Sequence, residues 1–236
     1  DAPAFALPYA HDDWEKLGGH DLHADWGERL ATYFNPQGRL FYRPLSALAA
    51  GLLHAGWPDD PRAYHVVNLL LLAVAALAAG ALVHTLTGQA RTGRLVALLF
   101  AAATPVHLET QFWLVGVNDL AMVPLTFAAL RLHLRGRPGA AAAAWAAALL
   151  FKESAVFVPV VAAAATLLRL DTAPAPAAAP RARWLRLWPF VAVGLIYLAL
   201  KLAGTLPTRV PADHPYAIEV ARSTVGPRIG DYARWL

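Results

Sequence analysis

Residues 64–86, YHVVNLLLLAVAALAAGALVHTL, run for 23 positions without a single Asp, Glu, Lys or Arg. Coiled as a helix rising ~1.5 Å per residue, such a stretch reaches about 35 Å, enough to cross a hydrocarbon core of about 30 Å. The rest of the chain fits the same solvent. Its 236 residues are 58% apolar and only 15% charged, with a mean hydropathy of +0.42, a poor composition for a surface facing water. Further apolar runs cover 95–106, 120–134, 139–151, 154–168 and 188–203. Together with 64–86 they predict six segments that cross or enter a bilayer, in an all-α, polytopic transmembrane helical bundle. The shorter apolar stretch 44–56 follows Arg43 and precedes Trp57, Pro58, Asp59 and Asp60, flanks that suit an interfacial helix better than a span. Three regions result: residues 1–63 as a first extracytoplasmic loop with its interfacial helix, 64–203 as the bundle, and 204–236 as a second extracytoplasmic loop.

Charge sets the expected orientation. The connectors 87–94, 131–138 and 169–187 carry nine Arg against one acid, Asp171, while the rest of the chain holds the other fifteen acids and eleven basic residues. Positive charge stays on the cytoplasmic side, so the three Arg clusters are predicted inside and the remaining loops outside. The same clustering argues against nucleic acid as a partner despite a net charge of +4, since the cations sit between apolar runs rather than along one face. Three Lys against seventeen Arg and long Ala runs suggest a GC-rich bacterial genome, hence a multi-pass protein of the bacterial inner membrane with an extracytoplasmic active face. The polar opening has no signal-peptide pattern and the end is equally abrupt, so an internal piece of a longer polytopic protein is expected. Residues 171–180, DTAPAPAAAP, read as an extended connector. The absence of Cys removes disulfides, thiolate metal sites and a cysteine nucleophile.

Two runs are short for a crossing. Residues 139–151 would make a helix of roughly 20 Å, so the hairpin they form with 154–168 is expected to keep its tip, Lys152-Glu153, below the outer surface. Residues 94–116 read as one long helix whose outer half contains Pro105, His107, Glu109 and Gln111, polar groups that must face protein or a water-filled cavity.

Three patches carry chemistry. In the first loop Asp12 and Asp13 are adjacent carboxylates, which repel so that one pKa rises; a carboxylate beside a substrate hydroxyl serves as general base. The bland reading is a solvated loop. His11, Asp12, His20, Asp21, His23 and Asp25 offer enough donors for a divalent ion, but without a recognised metal spacing, so no metal is assigned. The second patch holds His107 and Glu109, either a satisfied interhelical pair or a cavity lining, and Asn118-Asp119, read as the cap of a helix from Leu120. The third is Lys152-Glu153, either a salt-bridged turn or a cation that meets an anionic lipid headgroup. His65 and Asn68, one helical turn apart, share a face suited to interhelical hydrogen bonds or to the site. Nucleotide-binding, zincin and serine-hydrolase patterns are absent from the sequence.

Five stretches resemble, in order, the GT-C glycosyltransferases, within them the protein O-mannosyltransferase-like branch that includes transmembrane tetratricopeptide-repeat proteins. They are DDWEKLGGHDL from residue 12, FYRPLSAL at 41–48, YHVVNLLL at 64–71, TPVHLETQFWLVGVNDL at 104–120 and FKES at 151–154. The resemblance implies a GT-C-like bundle that takes a sugar from a polyprenyl-phosphate carrier and transfers it, with inversion, to the hydroxyl of an extracytoplasmic protein or glycan acceptor. It implies Asp13 or Asp12 as base with Glu109 assisting, and Lys152, His107, Arg43, His65 and Asn68 as substrate-binding candidates. The donor is a lipid-linked sugar and no cofactor is implied, because a cation can stabilise a departing phosphate without a metal. Thr104-Pro105 and Val117-Asn118 depart from the family pattern, the second by losing a basic residue, and leave the sugar unassigned. The alternative is a non-enzymatic transporter or a structural subunit of a membrane complex on a degenerate scaffold, with the same charges serving as proton relays or interhelical pairs.

Overall fold

A computed structural model describes residues 25–36, 41–58, 60–103, 113, 116–170, 172, 180–203 and 205, and among them every regular element is helical. In chain order these are α1 (Trp26–Phe34), α2 (Pro44–Gly56), α3 (Pro61–Thr87), α4 (Ala90–Ala102), α5 (Val117–Leu134), α6 (Pro138–Phe151), a 3-10 turn (Glu153–Phe157), α7 (Val158–Leu167), α8 (Pro180–Leu185) and α9 (Trp188–Leu202).

Local chemistry fixes the ends. Asp25 caps α1, its carboxylate accepting from the Glu28 backbone N–H at 2.9 Å, and Asp60 caps α3 by accepting from Arg62 N–H at 3.0 Å, with Pro61 in the first turn. Gly88, at φ 70°, ends α3 in the left-handed conformation that glycine adopts at little steric cost. The end of α5 does the same at Gly136, where Gly136 and Arg137 N–H donate back to the His133 and Leu132 carbonyls, before Pro138 opens α6.

Two helical stretches, Pro61–Thr87 and Arg183–Leu202, are long and apolar enough to cross a membrane. The other apolar runs form shorter elements. The 2-residue link Gly88-Gln89 is all that separates α3 from α4, so part of the first Arg cluster is helical. The helix expected through 94–116 ends at Ala102, where Ala103 N–H turns back to the Phe100 carbonyl; residues 104–112 and 114–115 lie outside the described residues. The run 154–168 divides into a 3-10 turn and α7, because Lys152 is extended and Pro159 stands near the start of α7. The stretch 44–56 forms α2 with the bounds expected.

Large apolar side chains lie on the outside as well as in the core. On α3 the buried residues include Ala75, Ala76, Ala79 and Gly80, while Leu70 and Leu77 are 60% and 68% exposed. Small inward residues let backbones approach. A Cβ on Gly80 would lie 2.5 Å from the Gly93 carbonyl oxygen of α4, and one on Gly93 would lie 2.6 Å from that of Gly80. Alanines again line the second core, where Ala129, Ala141, Ala148 and Ala162 surround Trp145 and Phe190.

All three Arg-rich connectors meet at one end. Arg131 Nε donates to Thr85 Oγ1 at 3.2 Å, tying the close of α5 to the close of α3. Thr172 N–H donates to the Leu134 carbonyl at 3.0 Å, adding the connector after α7. The opposite end holds the N-termini of α2, α3 and α5 and the α6–α7 turn, joined by the contacts described next.

Candidate functional site

Lys152 and Glu153 sit at the turn after α6, and their neighbours come from distant parts of the chain. The Arg43 guanidinium, just before α2, grips Glu153 with two parallel bonds, Nε to Oε2 at 2.8 Å and Nη2 to Oε1 at 2.5 Å. Lys152 Nζ donates to Asp119 Oδ1 at 2.5 Å, reaching the first turn of α5. Adjacent residues of opposite sign thus pin the turn to two other helices. Ser46 completes the fastening: its hydroxyl donates to the Phe151 carbonyl at 2.7 Å, satisfying one of the carbonyls that the end of α6 leaves without an intrahelical partner. Pro44 at the start of α2 sets the entry angle, and the Arg43 guanidinium also lies over the Phe41 ring at 4.5 Å.

Burial pushes the Glu153 carboxyl up, but the Arg43 hydrogen bonds and charge, a backbone hydrogen bond and the Lys152 charge more than reverse it, leaving the carboxyl below its usual range. The carboxylate form of Glu153 is thereby favoured in its pair with Arg43.

Asn68 reaches the same end from α3. Its Nδ2 donates to the Trp113 carbonyl at 3.0 Å, and that carbonyl also accepts Gly116 N–H at 2.8 Å. The amide holds the chain where it enters α5, one turn before Asp119. His65 is buried on the same face of α3.

Of the residues singled out by sequence, Arg43 and Lys152 come together through the 152–153 turn, and Asn68 acts on the helix start that bears the partner of Lys152. Asp12, Asp13, His107 and Glu109 lie outside the described residues, as do His11, His20, Asp21 and His23. Asp25 serves as a helix cap, and among the described residues no group of three His, Cys, Asp or Glu is placed to hold a metal.

One expectation changes. Asp119 was expected to cap a helix from Leu120; α5 starts at Val117, so Asp119 stands inside the first turn and its carboxylate goes to Lys152. The salt-bridged reading of the Lys152-Glu153 turn holds, its partners lying 33 and 110 residues away in the chain, respectively. Sequence reasoning did not single out Ser46 or the Lys152 role of Asp119. The chain matches no protein-family model, and no match was found among curated proteins or solved structures.

Proposed function

We propose that the chain is the catalytic core of a polytopic GT-C-like membrane glycosyltransferase, which uses a polyprenyl-phosphate sugar and works at the end of the bundle opposite the Arg clusters. The observation that carries this reading is the meeting of Arg43 and Lys152 at that end, beside helices whose large apolar side chains face outward. An isoprenoid tail lies against such a surface, and its phosphate needs a cation at the end of it. The Pro61–Thr87 and Arg183–Leu202 helices support membrane embedding, and the inward Ala and Gly of α3 support lipid as the solvent. In this reading Lys152 takes the carrier phosphate and stabilises it as it departs. Arg43 holds the turn in place through Glu153, and Asp13 or Asp12 with Glu109 prepares the acceptor hydroxyl. The protein sits in a bacterial inner membrane, requires no metal, and binds a protein or glycan acceptor from outside.

A second reading has its own support. Both cations already have carboxylate partners on other helices, as expected of a structural subunit whose charges only fasten the bundle. The two readings separate at Lys152. Replacement Lys152→Ala is expected to weaken binding of polyprenyl monophosphate at least tenfold, measured on protein in phosphatidylcholine nanodiscs, with Lys152→Arg restoring part of it. Wild-type affinity combined with a lowered melting temperature would leave the structural reading standing.

Orientation has its own check. Single cysteines at Gln89, Gly136 and Ala177 are expected to react with a membrane-impermeant maleimide only from the cytoplasmic face, and cysteines at Gly38 and Ala212 only from the other. Labelling of Gly136 from outside would reverse the assignment.

A further inference from the structure

The two ion pairs at the 152–153 turn are built differently. Arg43 and Glu153 use both carboxylate oxygens in a fork that holds its geometry. Lys152 and Asp119 share one bond through one oxygen, and their side chains are 27% and 28% exposed. An ammonium is a point charge on a flexible stem with three donors. Among the described residues only one of those donors has an acceptor, Asp119 Oδ1.

Asp119 is also suited to lose its partner. It stands in the first turn of an 18-residue helix, where unpaired backbone N–H groups and the helix dipole favour a negative charge with or without Lys152. Asn68 supplies a second tie on the approach to that turn, through the Trp113 carbonyl.

We propose that Asp119 is an exchangeable counter-ion, which occupies Lys152 in the empty site and is displaced from it by the phosphate of an anionic lipid. This rests on the reading of Lys152 as the phosphate ligand. Among the described residues the two cations and two carboxylates of the turn balance in formal charge, so the pairs themselves offer no net attraction for anions. A phosphate that takes over Lys152 must compete with Asp119 and then lie beside its charge. Asp119 therefore lowers affinity for a lipid phosphate at Lys152, the phosphodiester of the sugar-bearing donor included. A polyprenyl monophosphate released by transfer carries more charge than the donor's phosphodiester, so the same repulsion bears harder on it and speeds its departure.

The test uses the full chain in phosphatidylcholine nanodiscs, with polyprenyl monophosphate and phosphatidylglycerol as two separate sources of lipid phosphate. Asp119→Asn is expected to bind polyprenyl monophosphate about tenfold tighter than wild type, and Asp119→Glu to stay within about twofold of it. In wild type, a zero-length carbodiimide is expected to join Lys152 to Asp119 in the lipid-free state, detected as a linked peptide by mass spectrometry. Saturating polyprenyl monophosphate should abolish that link. The second readout needs no variant and stands if Asp119→Asn fails to fold. Unchanged or weakened binding in a folded Asp119→Asn protein, or a cross-link that survives saturation, overturns the counter-ion role. If Lys152→Ala binds as wild type, the reading of the site itself falls instead. Equal protection of the link by phosphatidylglycerol would support displacement by lipid phosphate whatever its source.

Discussion

Replacing Asp13 with Asn is expected to lower sugar transfer by roughly 10²-fold or more while leaving binding of the carrier intact. Asn keeps the size and hydrogen-bonding reach of the carboxylate but removes its basicity, and an inverting transfer to a hydroxyl needs a base to accept the proton. The rival pair Asp59-Asp60 has a structural duty, since Asp60 caps α3 by accepting from Arg62 N–H. Initial rates on protein shown to bind polyprenyl phosphate make the comparison. Wild-type rates in both Asp12→Asn and Asp13→Asn would remove the pair from catalysis and leave Glu109 to be tested next.

The second large effect is on stability. Trp145 of α6 is 2% exposed, its indole N–H donates to the Ala155 carbonyl at 2.8 Å, and its ring meets Phe190 of α9 at 5.6 Å between centroids. A Cβ on Gly194 of α9 would lie 3.5 Å from the indole edge. This one side chain links α6, the 3-10 turn after Lys152, and α9. Trp145→Ala leaves a cavity and strips the Ala155 carbonyl of its donor, a loss of about 3–5 kcal/mol by analogy with buried tryptophans elsewhere. The midpoint of thermal unfolding in detergent is expected to fall by on the order of 10 °C. Trp145→Phe keeps most of the ring contact and loses the hydrogen bond, so it should cost about 1 kcal/mol. If alanine and phenylalanine behave alike, packing around the ring contributes little and the core has been misjudged.

Much of this architecture is legible in local sequence. Arg43, Pro44 and the turn residues after Gly56 delimit α2, and the charge-free stretch 64–86 gives α3 all but its outermost residues. The pairing of Arg connectors at one end is expected from alternation alone, and Arg131 meets Thr85 at the close of α3. The site is legible in its parts and not in its wiring. Lys152, Arg43 and Asn68 attract notice because polar groups are costly among apolar runs. Their partners do not follow, because local pattern says nothing about which of several acids lies within reach across 33 or 110 residues. Asp119 shows how a small boundary error changes a role: a helix start placed at Leu120 rather than Val117 makes a first-turn carboxylate look like a cap. Gly80 and Gly93 carry a weak signal of their own, as glycines near the facing ends of two helices joined by a short link, where close backbone approach excludes a Cβ.

The central claim, that the bundle serves a lipid-linked sugar donor, is met most directly by mass spectrometry of the lipid retained by the full chain after gentle purification, with transfer then assayed on that same lipid class. The account predicts a polyprenyl phosphate, free or bearing a sugar, enriched far above its share of the source membrane and lost from the Lys152→Ala protein. Retention of bulk phospholipids alone, in membrane proportions and unchanged by Lys152→Ala, would contradict it.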